Sequence, residues 1–251
     1  MSDDQLLYGI NPVQAALQQA GRVKELLLVE SELSERLSQL AVQAQQSSVR
    51  LRRLPRAELD RLCGGDRHQG VVARVAAVQT QRLEALLAQL HQSAALVLVL
   101  DGVTDPHNFG ALIRSAAAAG CQVVVYGRDR SCPLTATVAR AAAGCLERVA
   151  LCPVVNLSRA LRQLKEAGLW VYGLAGEQAA SLYATDLAGP VALVVGAEGK
   201  GLRPAVRSEC DQLLCIPMAA AVESLNVSVA AAVALFEVVR QRVAAGGRQE
   251  K

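Results

Sequence analysis

From residue 94 onward, short runs of apolar residues alternate with alanine-rich stretches along the chain. Nearly continuous apolar strands separated by helices are typical of a parallel sheet that is covered on both faces. The predicted strands are 95–100, 122–126, 148–151, 169–174, 191–195 and 213–216. The predicted helices are 111–119, 135–143, 157–167, 203–208 and 226–243. Residues 95–243 are therefore predicted to form one α/β domain built on a mostly parallel sheet.

The first 77 residues carry a second, shorter set of alternating elements. The pattern predicts strands at 23–29, 49–54 and 69–78 and helices at 12–20 and 33–45, which together form a small α/β domain over residues 1–77. Residues 78–94 are predicted to be a linker, and leucines at helical spacing predict an amphipathic helix over 79–93. The tail 244–251 is predicted to be disordered.

Composition narrows the class of protein. A hydrophobic fraction of 52% argues against a disordered chain, and a net charge of +3 permits a nucleic-acid partner without requiring one. The charge-free stretch 224–236 is too short to cross a bilayer, and the first residues, MSDDQ, are acidic where a secretory signal is basic. A cytoplasmic protein with no membrane partner is therefore predicted.

The seven cysteines lie mostly within apolar stretches, and none forms a C-x-x-C pair. Metal sites need ligands at such short spacings, so reduced structural thiols and no metal site are predicted.

Arg50, Arg52, Arg53 and Arg56 lie within seven residues, on a predicted strand and the turn after it. On a strand, Arg50 and Arg52 point to one face and Arg53 to the other. A solvated edge strand protected by charge and a contact with RNA phosphates explain the cluster equally well. The turn at 66–70 has polar groups suited to phosphate or base edges, and its His68 is expected to be exposed.

The first stretch that can carry chemistry is 101–110, DGVTDPHNFG, followed by Arg114. It leaves a buried strand and enters a helix, so Asn108 and Arg114 can both face the carboxyl edge of the sheet, where open α/β sheets bind ligands. The structural alternative is that Asn108 caps the helix while Arg114 pairs with Asp101 or Asp105.

The second stretch, GAEGKG at 196–201, does not fit either familiar nucleotide motif. A Walker loop requires glycine at 194, where Val194 stands, and a dinucleotide fingerprint begun at Gly199 requires glycine at 204, where Pro204 stands. A dinucleotide-dependent dehydrogenase is therefore disfavoured. The remaining interpretation is a tight glycine turn that places the carboxylate of Glu198 at a ligand site. The structural alternative is a tight turn in which Glu198 is only solvated.

The third stretch is Ser224-Leu225-Asn226, at the start of the predicted helix 226–243. Ser224 or Asn226 is a suitable helix cap, which by itself is a structural role. The helix is apolar nearly all round as far as Phe236, which predicts burial by the domain or by the partner in a dimer.

These three stretches resemble, in order and spacing, the motifs of the SpoU (TrmH-like) family of RNA 2′-O-ribose methyltransferases. They are DGVTDPHNFGALIRSA, VVGAEGKGL, and IPM followed by SLNVSVAAAVALFE. LYGINPVQAAL and HQGVVARV are similar to the substrate-binding domain of members that act on ribosomal RNA. The resemblance implies a SPOUT-type methyltransferase domain with a trefoil knot, S-adenosylmethionine as cofactor, a homodimer formed through that domain, and an N-terminal RNA-binding domain.

The resemblance also assigns residues and a reaction. It implies catalytic roles for Arg114, Asn108, Glu198, Ser224 and Asn226, and backbone contacts to the cofactor at Gly196, Ile216 and Leu225. The implied reaction is 2′-O-methylation of a guanosine in the peptidyl-transferase region of 23S ribosomal RNA. Two alternatives are a transfer RNA 2′-O-methyltransferase and a non-catalytic RNA-binding factor for ribosome assembly.

The family assigns the role of base to Arg114, although a guanidinium in a protein is effectively always protonated. Two accounts are open. Arg114 is deprotonated transiently with the help of a substrate phosphate, or it stays charged, binds that phosphate and orients the hydroxyl while proton loss comes late. Physical grounds favour the second account.

Overall fold

The computed structural model describes residues 5–65, 67–90, 94–176, 179–219 and 224–246. The chain forms two compact units, the first made of residues 1–79 and 133–148 and the second of residues 80–132 and 149–251. The predicted disorder of the tail concerns mainly residues 247–251, which lie outside the described residues. No helix in the described part is long and apolar enough to span a bilayer.

The first unit is built on a four-stranded sheet. Its N-terminal elements are β1 (Gln5–Tyr8), α1 (Ile10–Leu17), β2 (Val23–Val29), α2 (Glu35–Gln46), β3 (Arg50–Leu54), α3 (Arg56–Leu62) and β4 (Val71–Val75). The strand order is β1-β4-β2-β3, in which β2 and β3 are parallel and the other pairs antiparallel. The segment 133–148 packs in this unit, where the guanidinium of Arg140 lies 4.9 Å from the ring centre of Tyr8. The predicted small α/β fold is thus present, with β1 and α3 in addition.

His68 is buried, and its predicted exposure is wrong. Its Nδ1 accepts a hydrogen bond from the backbone N–H of Gly70 at 3.0 Å, so Nε2 carries the hydrogen that points to Asp60 Oδ1 at 2.9 Å. Gly70 has a φ of +82°, and a Cβ there would lie 3.0 Å from Leu37 Cδ1. The imidazole therefore fixes a tight turn before β4 instead of offering donors to a ligand.

The second unit alternates strands and helices, as the apolar pattern predicts. In chain order the elements from residue 80 onward are α4 (Leu83–Leu87), β5 (Leu96–Asp101), α5 (Pro106–Ala118), β6 (Val123–Gly127), α6 (Ala136–Ala141, in the first unit), β7 (Ala150–Val154), α7 (Leu157–Glu166), β8 (Trp170–Leu174), β9 (Ala180–Ser181), β10 (Val191–Gly196), α8 (Pro204–Arg207), β11 (Gln212–Cys215) and α9 (Val227–Ala244). A 3₁₀ turn spans Leu182–Ala184.

All strand pairs in the seven-stranded sheet of this unit are parallel, and the order is β7-β6-β5-β10-β8-β11-β9. The predicted fold class, an α/β parallel sheet with a small N-terminal α/β unit, is confirmed. The trefoil knot implied by the resemblance stays a prediction.

The predicted linker helix is much shorter than the leucine spacing indicates. Thr80 forms a parallel bridge with Leu151, and the N–H of Gln81 donates to the carbonyl of Leu151 at 2.9 Å. These bonds hold the chain extended, so α4 begins at Leu83, whose side chain is buried in the core of the second unit.

Two central strands set the position of the site. Every residue of β5 and β10 is buried, and their register pairs Asp101 with Gly196. Because both strands run in the same direction and end at the same level, the loops that follow them meet at one edge of the sheet.

Arg242 anchors the far end of α9 to the opposite edge of the sheet. Its guanidinium donates to the carbonyls of Ala94, Ala95, Ala188 and Gly189 at 2.7–3.2 Å. Those carbonyls lie just before β5 and β10, so the helix that begins at the carboxyl edge is also anchored at its far end.

Candidate functional site

Asp105, rather than Asn108, caps α5. The N–H of Asn108 donates to Asp105 Oδ2 at 2.8 Å, and Pro106 occupies the first helical position. Aspartate followed by proline is a strong helix start, so α5 begins five residues before the predicted position. The alternative in which Asn108 is the cap is therefore wrong, and the Asn108 side chain is available for other partners.

The side chains of Asn108, Glu198 and Asn226 form one hydrogen-bonded network, although they lie far apart in the sequence. Asn108 Nδ2 donates to Glu198 Oε2 at 3.1 Å, and Asn226 Nδ2 donates to Glu198 Oε1 at 3.3 Å. Asn226 Nδ2 also lies 3.0 Å from Asn108 Oδ1. The structure thus brings one residue from each of the three motifs into a single cluster.

The carboxylate of Glu198 determines how the two amides are oriented. An ionised carboxylate only accepts hydrogen bonds, so both asparagines must turn their NH₂ groups toward it. This leaves Asn226 Oδ1 to accept from the N–H of Ser228 at 2.9 Å and from its hydroxyl at 2.6 Å, which caps α9. Glu198 therefore links the start of α5, the loop after β10 and the start of α9.

Gly196 allows the loop after β10 to fold back on its own strand. A Cβ at this position would overlap the backbone of Gly201 and Leu202. Ala197 and Gly201 form an antiparallel bridge, with Gly201 N–H donating to the carbonyl of Ala197 at 2.9 Å. The glycines therefore let the loop pack closely against the end of β10, and the loop brings Glu198 within hydrogen-bonding distance of the two asparagines.

An ion pair with a buried carboxylate, which the sequence interpretation missed, fixes the other end of this loop. The Asp101 side chain is fully buried, and its Oδ1 lies 2.6 Å from Arg203 Nε while its Oδ2 accepts from the backbone N–H of Arg203 at 2.8 Å. Asp101 pairs with Arg203 and Asp105 caps α5, so the structural alternative in which Arg114 pairs with either carboxylate is wrong.

Replacing Arg203 with methionine is expected to lower the free energy of unfolding by about 1–2 kcal/mol, because the buried Asp101 carboxylate keeps only the backbone N–H as a partner. This loss of stability is smaller than for a fully buried ion pair because the Arg203 side chain is 43% exposed. Urea denaturation measures the change. Arg207→Met, which changes an exposed arginine in α8, is the matched control, and equal stability of the two variants would contradict a structural role for the pair.

Arg114 lies in the middle of α5 with its side chain exposed. Among the described residues it has no hydrogen-bond or ion-pair partner, so the guanidinium is free to bind a ligand. No contact joins it to Asn108, Glu198 or Asn226, although it shares a helix with Asn108. Ser224 is also exposed and lies two residues before the cap of α9.

The backbone positions assigned to the cofactor lie at the same edge of the sheet. Gly196 ends β10, Ile216 follows β11, and Leu225 precedes α9. Outside the strand ladders, the backbone groups of 216–219 and 224–225 form no hydrogen bond with any other described residue. Amide and carbonyl groups that have no partner among the described residues, next to a glycine turn, fit a nucleoside that is recognised through the backbone, as the adenosine of S-adenosylmethionine requires.

Cys132 packs against the loop that precedes α5, with its N–H donating to the carbonyl of Val103 at 3.1 Å. Burial and, secondarily, the charge of Asp105 raise the pKa of its thiol. The thiol therefore stays protonated at neutral pH and does not supply a nucleophile here.

Comparison with known proteins places the chain in a family of methyltransferases. The sequence model described as the SpoU rRNA methylase family matches residues 95–236, and one described as RNA 2′-O ribose methyltransferase substrate binding matches residues 6–81. Two relatives are named 23S rRNA (guanosine-2′-O-)-methyltransferase RlmB. The one from Xanthomonas campestris pv. campestris is 47% identical to this chain over 246 residues, and the one from Vibrio cholerae is 45% identical over 245 residues. In both cases the match covers 96% of this chain, and it covers 98% of each relative.

Solved structures of SpoU proteins also match this chain. The SpoU methyltransferase AviRb from Streptomyces viridochromogenes, in complex with AdoMet, matches with a TM-score of 0.81 and 25% identity, covering 96% of this chain and 91% of that one. A TrmH/SpoU tRNA modifying enzyme of A. aeolicus matches with a TM-score of 0.56 and 28% identity, but covers 66% of this chain and 84% of its own.

Proposed function

The chain belongs to the SpoU family of RNA methyltransferases, and from this membership we propose that it transfers a methyl group from S-adenosylmethionine to the ribose 2′-oxygen of a guanosine in 23S ribosomal RNA. The modified nucleotide is assigned to the peptidyl-transferase region, and the enzyme acts in the cytoplasm, where that RNA is found. The near full-length relatives, named for this reaction, support the assignment.

The observation that carries the proposal is the network of Asn108, Glu198 and Asn226. A protein that only bound RNA would not need one residue from each of three distant segments to meet at the carboxyl edge of the sheet. An exposed arginine, Arg114, which has no partner among the described residues, lies on the helix that starts at this network and adds a cation for an anionic substrate. These features favour an enzyme over a non-catalytic assembly factor.

S-adenosylmethionine supplies an electrophilic methyl group, which passes to the 2′-oxygen while the sulfur keeps the electron pair of the broken carbon–sulfur bond. The protein mainly has to align oxygen, carbon and sulfur, because alignment can remove a large part of the barrier. Arg114 stays protonated, binds a phosphate next to the target ribose and orients the hydroxyl. The hydroxyl proton leaves to water late in the transfer. Glu198, Asn108, Asn226 and Ser224 shape the ribose site, and the backbone at Gly196, Ile216 and Leu225 holds the adenosine.

Ribosomal RNA is favoured over transfer RNA because of the first unit. The relatives named as 23S rRNA methyltransferases align with 96% of this chain, whereas the tRNA modifying enzyme covers 66% of it. The substrate-binding match over residues 6–81 gives the additional unit a role in docking a large RNA.

Methyl transfer from labelled S-adenosylmethionine to unmodified 23S rRNA and, in parallel, to unmodified transfer RNA tests the proposal. Label in 23S rRNA alone is expected. Label in transfer RNA alone would keep the chemistry and overturn the substrate. Label in neither RNA would overturn the assignment as a methyltransferase that acts on free RNA.

We further propose a homodimer that forms through α9. Val229, Phe236 and Val243 are large, exposed apolar residues spaced seven apart, so they form one stripe along the helix. An apolar stripe of this kind is typical of a helix that packs against a partner.

Phe236→Glu is expected to convert the dimer into a monomer, because it places a charge in the centre of the apolar stripe. Sedimentation equilibrium measures the mass. The matched control is Val42→Glu on α2, which adds the same charge at an equally exposed valine of the first unit and leaves the dimer intact. A monomeric wild type, or a Phe236→Glu variant that stays dimeric, would contradict the interface.

A further inference from the structure

One row of residues crosses the sheet of the first unit and brings charged side chains together. Glu25 on β2 lies opposite Arg50 on β3 and opposite Arg74 on β4. Arg52, two residues after Arg50, shares the face of Arg50 because side chains alternate along a strand. We call Arg50, Arg52 and Arg74 the arginine face.

Glu25 holds the arginine face together without neutralising it. Its Oε2 accepts a hydrogen bond from Arg74 Nε at 3.1 Å, while its Oε1 lies 3.6 Å from Arg50 Nε and 3.8 Å from Arg52 Nη1. Three guanidinium groups around one carboxylate leave a net charge of +2. The carboxylate side chain is only 13% exposed, whereas the side chains of Arg50, Arg52 and Arg74 are 76%, 48% and 44% exposed.

Most hydrogen-bond donors of this face have no acceptor among the described residues. A guanidinium has five N–H donors, and of the three groups only Arg74 is within hydrogen-bonding distance of Glu25. The buried carboxylate therefore acts as a counter-charge that orients the arginines, and the donors that remain fit phosphate oxygens, which guanidinium groups bind in pairs.

Protection of an edge strand does not account for the cluster. β3 is an edge of the sheet, and charged side chains there discourage pairing with another chain. Arg74, however, lies on β4, which is flanked by β1 and β2 and has no open edge. An exposed arginine on an interior strand, drawn to the same glutamate as two arginines of the edge strand, indicates a shared ligand.

We propose that the arginine face is the surface through which the first unit binds the phosphate backbone of its RNA substrate. The inference rests on the proposed function, since the partner is the RNA that is methylated, and it identifies where that RNA docks. The matched description of residues 6–81 as a substrate-binding domain supports RNA over an acidic protein as the partner. The groups involved are cations rather than aromatic rings, so the contact reads the backbone and not the bases.

The test uses the full-length protein and unmodified 23S rRNA, with the association constant measured over a series of KCl concentrations. In the double variant Arg50→Ala/Arg52→Ala, the slope of log K against log salt is expected to become shallower by about 1.5, since each lost phosphate contact removes about 0.7–0.9. The same relation predicts roughly thirtyfold weaker binding at 0.1 M salt. Arg50→Lys/Arg52→Lys keeps the charge and is expected to retain most of the slope.

Arg53→Ala is the matched control. It removes one positive charge, against two in the double variant, from the opposite face of the same strand, and is expected to leave the slope unchanged. Equal losses in Arg53→Ala and in the double variant would overturn the arginine face in favour of a general charge effect. An unchanged slope in a double variant with wild-type melting temperature would also overturn it.

The methyl-transfer assay separates this proposal from the proposed function. If wild-type protein binds 23S rRNA and the double variant alone shows the shallower slope, the arginine face stands even where no methyl group is transferred. If wild-type protein methylates the RNA but the slopes are equal, the function stands and the arginine face falls. Absence of RNA binding by wild-type protein would overturn both.

Discussion

Arg114→Ala is expected to lower the rate constant of methyl transfer by at least about a hundredfold at saturating RNA and S-adenosylmethionine. Misplacement of a reacting group by about 1 Å can cost that much, and loss of the charge also removes the partner of the substrate phosphate. The side chain is exposed and has no partner among the described residues, so its removal leaves no buried group unsatisfied. The melting temperature is therefore expected to stay close to that of wild type, which separates a catalytic loss from unfolding.

Arg114→Lys distinguishes the two roles open to this residue. If Arg114 acts as a fixed charge, lysine keeps the charge but not the planar donor geometry, and partial activity is expected. Arg207→Ala, at an exposed arginine of α8, controls for a general change in charge and is expected to keep full activity. Loss in Arg114→Lys as complete as in Arg114→Ala would count against the fixed charge and in favour of a transient base.

Glu198→Ala is expected to reduce the rate constant of methyl transfer by about a hundredfold, because both asparagine amides lose the acceptor that orients them. Asn226 would then turn more freely, and its cap on α9 would weaken. Glu198→Gln keeps the shape but directs an NH₂ group at one of the two asparagine NH₂ groups, so an intermediate loss is expected. Single-turnover kinetics with saturating cofactor measure the effect.

Lys200→Ala is the matched control for Glu198. Lys200 lies two residues further along the same turn, is exposed, and has no hydrogen-bond or ion-pair partner among the described residues. Its removal changes the charge of the loop but leaves the network intact, so wild-type activity is expected. A Lys200→Ala loss as large as that of Glu198→Ala would show that the charge of the loop matters and the network does not.

The alternation of apolar strands and helices was sufficient to predict the parallel sheet, because buried strands in such a sheet must be apolar along their whole length. The same pattern missed β1, which has only four residues, and α3, which directly follows Pro55. It placed the start of α5 too late, although Asp105-Pro106 is itself a recognisable helix start.

The sequence pattern does not predict contacts between residues that lie far apart in the chain. Asp101 ends β5 and Arg203 directly precedes α8, and the two meet because β5 pairs with β10 and the turn after β10 folds back. The buried His68 likewise bonds to Asp60, which belongs to a helix that the pattern did not indicate. Motif spacing identified Asn108, Glu198 and Asn226 as candidates, but their mutual hydrogen bonds follow from the sheet alone.

The central claim is tested most directly by nucleoside analysis of 23S rRNA after incubation of unmodified RNA with the protein and S-adenosylmethionine. The account predicts 2′-O-methylguanosine at one position of the RNA, absent when Arg114→Ala replaces the wild-type protein. A methyl group found on a base, or on the ribose of another nucleotide, would contradict the proposed reaction.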